Sequence, residues 1–146
     1  MPPLLQHRAA TYHYEILETY EAGMVLSSWE VKSLKAKHAH MKSAYARIDD
    51  GEVWLYGLHI SPWQYTTTED MPPTRPRKLL LHQREIERLH AAVQQKRLTL
   101  VPLSIFLVRG RIKLSLGLGK GRKRHEKKQV LKERSITKDL RQQGIR

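Results

Sequence analysis

Hydrophobic and polar residues alternate with a period of two along several short segments, which is the pattern of strands with one buried face. In residues 111–118 the residues Ile112, Leu114, Leu116 and Leu118 alternate with polar or small ones. Runs rich in β-forming residues also surround Asp50-Gly51 and Arg109-Gly110, at positions where hairpins turn. We therefore predict two antiparallel hairpins, over residues 44–60 and 98–118.

Residues 14–19 predict a further strand, and Glu21-Ala22-Gly23 predicts a bend before the apolar residues 24–26. A helical period of about 3.6 residues appears twice. Residues 83–97 carry one apolar stripe, and residues 29–36 fit a shorter helix with Ser28 as its N-cap.

The predicted order is strand, helix, hairpin, loop, helix, hairpin and tail. Too few helices separate the strands for a parallel, doubly wound sheet. The fold class is therefore mainly β: a small antiparallel barrel, closed or nearly closed, of the oligonucleotide-binding type, with two or three flanking helices. Residues 61–77 contain four prolines and predict a long functional or disordered loop.

Three regions differ in composition. Residues 1–11 show no pattern and predict a flexible N-terminus, and residues 12–118 predict one compact domain. Residues 119–146 carry 11 Lys or Arg and three acidic residues, and thus +8 of the total net charge of +13. Such a segment buries too little apolar surface to offset its ordering entropy. We expect this tail to be disordered alone and helical once a polyanion orders it.

The charge narrows the function classes. A pI near 10.2 indicates a polyanionic partner, while zero cysteines exclude disulfides and thiolate sites. The longest apolar runs are shorter than a membrane span, so we expect a soluble, cytoplasmic protein. The eight histidines do not form a metal-binding motif, and His59 is expected to be packed and hydrogen-bonded. We predict no enzyme activity, no metal and no cofactor.

Binding to nucleic acid therefore remains the leading hypothesis. From charge alone we assign RNA contacts to Lys32, Arg77, Lys78 and Lys120. Two alternatives stay open, namely a structural ribosomal or nucleoid-associated protein, and a small nucleic-acid-processing enzyme.

Five segments carry a resemblance to a known family. They are WEVKSLKA at 29–36, DGEVWLYGLHISP at 50–62, RPRKLLLH at 75–82, TLVPL at 99–103 and GKGRKRHEKK at 119–128. In this order they closely resemble the SsrA-binding protein family, also called small protein B or SmpB, from about residue 12 onwards. The resemblance implies a six-stranded oligonucleotide-binding barrel.

The resemblance also implies a function in trans-translation. A family member binds the tRNA-like domain of transfer-messenger RNA and delivers this RNA to stalled ribosomes. For this chain we also expect a monomer with no membrane partner. Its tail occupies the empty mRNA channel, next to the rRNA of the decoding centre, and becomes helical there.

Individual residues can be carried over from the family pattern. Glu21, Leu80 and Lys113 match positions tied to RNA binding, Leu80 by packing and Glu21 by hydrogen-bonding RNA or orienting a neighbour. The predicted ribosome-engaging tail residues are Gly121, Arg122, Lys123, His125, Glu126, Lys127, Lys128, Lys132 and Arg134. The chain departs from the family pattern at His7, Lys37 and Lys128, where an Asn, a Gly and an Arg are usual.

Overall fold

The computed structural model describes residues 3–62 and 72–142, with side chains up to Ile136. Its strands are β1 Leu5–Gln6, β2 Tyr14–Met24, β3 Ala39–His40, β4 Tyr45–Asp49, β5 Glu52–Tyr56, β6 His59–Ile60, β7 Arg77–Leu80, β8 Thr99–Val108 and β9 Arg111–Gly121. Its helices are α1 Ala10–His13, α2 Ser28–Lys35, α3 Gln83–Lys96 and α4 Arg124–Gln142.

Seven strands form one antiparallel sheet in the order β1-β8-β9-β2-β7-β5-β4. The sheet curves so far that β4 comes close to β8, although these strands are not neighbours in its hydrogen-bonded order. The mainly β, barrel-like prediction is confirmed. The barrel is open, and it has one strand more than the six that the resemblance implies.

The inner face of the curved sheet holds the core. The alternation predicted for residues 111–118 is confirmed, because its four aliphatic residues are all buried. Leu55 and Leu79 face them from β5 and β7, and Leu89 of α3 is also fully buried. Burial of these side chains supplies the main favourable term for folding.

Both predicted hairpins are present, and their turns have the conformation that their dipeptides indicate. Asp50 and Gly51 have φ angles of 52° and 74°, and Arg109 and Gly110 have 50° and 79°. Two consecutive positive φ angles characterise the type I′ turn, whose twist matches that of antiparallel strands.

The predicted bend at residues 21–23 is wrong, because β2 continues through it to Met24. The irregularity lies earlier, as a bulge between Ile16 and Glu18. β2 stays extended because β9 pairs with it from Tyr14 to Gly23 and satisfies its backbone groups.

The N-cap of α2 is Ser27 rather than the predicted Ser28. A capping box forms there, in which the backbone N–H of Ser27 donates to Glu30 Oε1 at 2.9 Å.

The N-terminal segment is more ordered than expected. Leu5 and Gln6 pair with Ile105 and Ser104, and the N–H of His7 donates to Leu103 O at 2.8 Å. These contacts join residues 5–7 to β8, whereas the sequence predicts a flexible segment over residues 1–11. Strand β8 would otherwise present unpaired backbone groups at the sheet edge, and the N-terminal segment covers that edge at residues 103–105.

The predicted boundary at 118/119 lies inside β9, which continues to Gly121. Gly119 pairs with Thr99 on one side and Ile16 on the other, and it is buried. The tail contains helix α4, and its disorder without a partner stays a prediction. Two contacts join the tail to α1: the N–H of Arg122 donates to His13 O at 2.8 Å, and Arg134 donates to the Thr11 hydroxyl.

Candidate nucleic-acid interface

The three residues that match the family's RNA-binding positions lie on one outer face of the sheet. Leu80 of β7 is opposite Gly23 of β2, and Gly23 is opposite Lys113 of β9, so the three form a row across the strands. Glu21 is two residues from Gly23 and opposite Ser115, which places it on the same face. Glu21 and Leu80 are exposed, and Lys113 is half-buried.

A groove of about 290 Å³ follows this row and joins an apolar wall to a cation. Leu80 and Lys113 stand on either side of Gly23, and the other lining residues are Met24, Leu26, Val31, Gly110, Arg111 and Ile112. Leu80 is 51% exposed, so its apolar surface is available for packing against a ligand. The groove can take a base or ribose against Leu80 and a phosphate at Lys113.

A second cavity, of about 610 Å³, adjoins Glu21. Its lining residues are Gln6, His7, Arg8, Thr11, Leu103, Ser104, Ser115 and Arg134. Gln6, Ser104, Ser115 and Glu21 form one row across β1, β8, β9 and β2. Sequence reasoning missed Arg8 and Thr11, because it treated the N-terminal segment as loose. The structure thus places Arg8 from the N-terminal segment and Arg134 from the tail at the edge of the predicted RNA-binding face.

Arg77 requires a correction, since its side chain is fully buried and cannot contact RNA from there. Its Nε donates to Glu30 Oε2 at 2.8 Å, and its Nη2 donates to Pro73 O at 2.8 Å. Burial lowers the pKa of Arg77 from its ordinary value, although the Glu30 carboxylate opposes that shift. Arg77 is therefore a structural residue that joins β7 to α2 and to the backbone at Pro73.

The other residues assigned by charge remain on the surface but are scattered. Lys78 shares the outer face of β7 with Leu80, and its ammonium lies 3.0 Å from Glu52 Oε1. Lys32 on α2 and Lys120 on β9 are exposed, and neither belongs to the lining of the Leu80 groove.

After the end of β9 at Gly121, the tail continues as α4 and contacts α1. Arg122 Nε donates to Thr11 O at 2.9 Å, and Lys127 Nζ lies 5.7 Å from the ring centre of Tyr12. The predicted tail residues Lys123, His125, Lys128 and Lys132 are exposed, while Glu126 is half-buried. The tail therefore presents many cations to solvent on an already helical backbone.

The histidines do not assemble a metal centre: within residues 3–62 and 72–136 no three potential ligands converge. His40 and His59 stack instead, with ring centres 4.8 Å apart and planes 2° apart. His59 is packed as predicted, but its buried Nδ1 makes no hydrogen bond in the described part of the chain. None of the described helices is both long and apolar enough to cross a membrane.

Comparisons with known proteins agree with the sequence motifs that resemble the SsrA-binding protein family. The family model described as SmpB protein matches residues 4–145. The SsrA-binding protein of Thermosynechococcus vestitus is 49% identical over 138 residues, covering 94% of this chain and 91% of the relative. That of Coprothermobacter proteolyticus is 47% identical and covers 99% and 97%, respectively.

A solved structure described as "tmRNA-SmpB: a journey to the center of the bacterial ribosome" contains a similar chain. The two share 45% identity with a TM-score of 0.67, over 89% of this chain and 95% of the other. Together, the motifs, the matched length and the shared fold establish that this chain belongs to the SmpB protein family.

Proposed function

We propose that this protein is an RNA-binding adaptor of trans-translation, which holds the tRNA-like domain of transfer-messenger RNA and delivers it to stalled ribosomes. The single observation that carries the proposal is the row of Leu80, Gly23 and Lys113, with Glu21 beside it, on one solvent-facing side of the sheet. Curated relatives nearly half identical over most of the chain are named for binding SsrA.

The chemistry of this face suits folded RNA. Lys113 offers charge to a phosphate and Leu80 an apolar surface to a base or ribose, while Glu21 can accept hydrogen bonds from base amino groups or 2′-hydroxyls. A carboxylate repels phosphate, so Glu21 favours a base edge or ribose at its own position.

The tail is assigned to the ribosome. We propose that α4 leaves the α1 surface and enters the empty mRNA channel, where rRNA phosphates neutralise its cations. This movement breaks the hydrogen bonds that Arg122 and Arg134 donate to Thr11. Both bonds are exposed to solvent, and exposed polar contacts are individually weak. The protein acts in this role as a cytoplasmic monomer and not as an enzyme.

Capture of RNA from cells tests the proposal. The protein should be purified under native conditions and its bound RNA sequenced. We expect one abundant RNA with a tRNA-like end, together with ribosomes stalled on messages that lack a stop codon. Uniform association with all ribosomes would instead indicate a structural ribosomal protein, and enrichment of genomic DNA would indicate a nucleoid protein.

A further inference from the structure

A pair of stacked tyrosines lies on the outer face of the β4–β5 hairpin, away from the Leu80 groove. The rings of Tyr45 and Tyr56 are 5.3 Å apart at their centres, with planes 16° apart. Tyr45 belongs to β4, the last strand of the sheet, and is 51% exposed. The stack therefore ends at solvent with a large aromatic surface.

Polar contacts hold the inner ring of this stack. The Tyr56 hydroxyl donates to Asp49 Oδ2 at 2.6 Å, and Arg47 donates to the same carboxylate at 3.0 Å. The Arg47 guanidinium carbon also lies 4.8 Å from the Tyr56 ring centre, as in a cation–π contact. Because Tyr56 is held in place, an exposed ring stacked on it loses little further freedom when a ligand binds.

The core does not require this arrangement. On the same hairpin Val53 and Leu55 point inward and are fully buried, whereas Tyr45 and Arg47 alternate with the inward positions and are exposed. An ordered aromatic surface that contributes little to the core is better explained by binding than by folding.

The tyrosine stack is continuous with the face proposed to hold RNA. Arg47, Trp54 and Lys78 form one row across β4, β5 and β7, and Lys78 is two residues from Leu80 on the same face. Four strand spacings separate β4 from Lys113 on β9, which is about 19 Å along the sheet. An RNA held at the Leu80 groove can thus reach the stack with neighbouring nucleotides.

Charge identifies which part of the RNA would lie there. Two cations on this face already have carboxylate partners, Arg47 with Asp49 and Lys78 with Glu52. The surface is therefore close to neutral and aromatic, which suits the face of a base and not a phosphate.

We infer that Tyr45 stacks on an unpaired base of the RNA that binds at Glu21, Leu80 and Lys113. The ligand class is a single-stranded, unstacked nucleotide adjoining a folded RNA, taken with little preference for base type, because every base has an aromatic face. This inference rests on the proposed function, since it extends the same RNA-binding face.

The test measures binding of the full chain to the transcribed tRNA-like domain of SsrA RNA, across a series of salt concentrations. Tyr45→Leu removes the ring, and we expect it to weaken binding about 5- to 100-fold. The dependence of log Kd on log salt should stay unchanged, because no phosphate contact is lost. Tyr45→Phe keeps the ring and should bind within about twofold of the wild type, since only stacking is required.

Leu17→Ala is the matched control, because Leu17 is 49% exposed and lies by α3 in a different cavity. A second measurement uses ring-labelled tyrosine in the wild type and covers the case in which Tyr45→Leu fails to fold. We expect the Tyr45 ring protons to shift upfield on RNA addition, as ring stacking causes.

The outcomes separate the two proposals. Tight RNA binding by the wild type with unmoved Tyr45 resonances, or with Tyr45→Leu as tight as Leu17→Ala, overturns the stacking inference and leaves the adaptor function standing. Failure of the wild type to bind the tRNA-like RNA overturns both.

Discussion

Glu30 and Arg77 form an ion pair in the interior of the protein, with Arg77 Nη2 2.6 Å from Glu30 Oε2 and both side chains fully buried. Glu30 lies in the first turn of α2 and Arg77 begins β7. Arg75 donates to the other oxygen of the same carboxylate. One carboxylate therefore joins α2 to the strand that carries Lys78 and Leu80.

Glu30→Gln should destabilise the protein strongly. The amide removes the negative charge and leaves Arg77 buried without a counter-ion, which typically costs about 3–5 kcal/mol. Chemical denaturation measures the change. Glu52→Gln is the control, because its pair with Lys78 is exposed and such pairs contribute about 0–1 kcal/mol. Equal effects of the two substitutions would contradict a structural role for the buried pair.

The same carboxylate should make stability depend on pH in the acidic range. Burial raises the pKa of Glu30, but hydrogen bonds from Arg75, the Ser27 N–H and Arg77 outweigh burial and hold it below its ordinary value of 4.5. A carboxyl group whose pKa is lower in the folded state than in the unfolded chain stabilises the native state at pH values above the unfolded-state pKa. That stability is lost as the pH falls from about 4.5 through the lower native pKa.

Urea denaturation between pH 7 and pH 3 checks this dependence. Glu18 and Asp49 also have lowered pKa values, through hydrogen bonds from Tyr20 and Tyr56 respectively, so the wild type has several contributions. Glu30→Gln should therefore reduce the slope of stability against pH without abolishing it. An unchanged slope in the variant would show that Glu30 does not titrate with folding.

Two truncations should separate RNA binding from ribosome rescue. A chain ending at Gly121 keeps all of β9, so we expect RNA affinity close to that of the full chain and loss of tagging of proteins from stalled ribosomes. A chain ending at Leu118 also loses the pairing of Gly119 with Thr99 and of Lys120 with Glu15. The second chain should have a lower melting temperature than the first. Equal melting temperatures of the two truncated chains would instead support a domain boundary at 118/119.

Lys113→Ala should weaken RNA binding in a salt-dependent manner. Loss of one phosphate contact reduces the slope of log K against log salt by about 0.7–0.9. Lys96→Ala is a suitable control, because Lys96 lies at the end of α3 and lines a separate cavity. A Lys113 variant with lower affinity and an unchanged slope would mean that its ammonium does not meet a phosphate.

Gly23→Ala should affect RNA binding more than folding. The new Cβ would lie 3.3 Å from Leu80 Cβ, so it would displace the Leu80 side chain and partly fill the groove. We expect affinity to fall about tenfold, or ~1.4 kcal/mol, with little change in the unfolding midpoint. Gly121→Ala is the control, because its Cβ would have open space around it. RNA binding is measured by titration with the isolated tRNA-like domain.

Local patterns were sufficient for much of the fold. The alternation in residues 111–118 and the Asp50-Gly51 turn depend on neighbouring residues alone, and the structure confirms both. The stripe in residues 83–97 likewise predicts α3 to within one residue. The motifs also select the residues of the candidate site, since Glu21, Leu80 and Lys113 come together on one face.

Long-range contacts decided the remainder. Nothing near Arg77 in the chain distinguishes an RNA contact from a buried partner of Glu30, which is 47 residues away. The pairing of Gln6 with Ser104 likewise needs the open edge of β8. Periodicity and turn chemistry act over a few residues, so the sequence by itself determined α3 and the two hairpins, and its longer motifs indicated the family. Burial, charge pairing and edge pairing depend on which distant segments meet, so only the tertiary structure decided the burial of Arg77, the pairing of the N-terminal segment with β8 and the position of Lys113 beside Gly23 and Leu80.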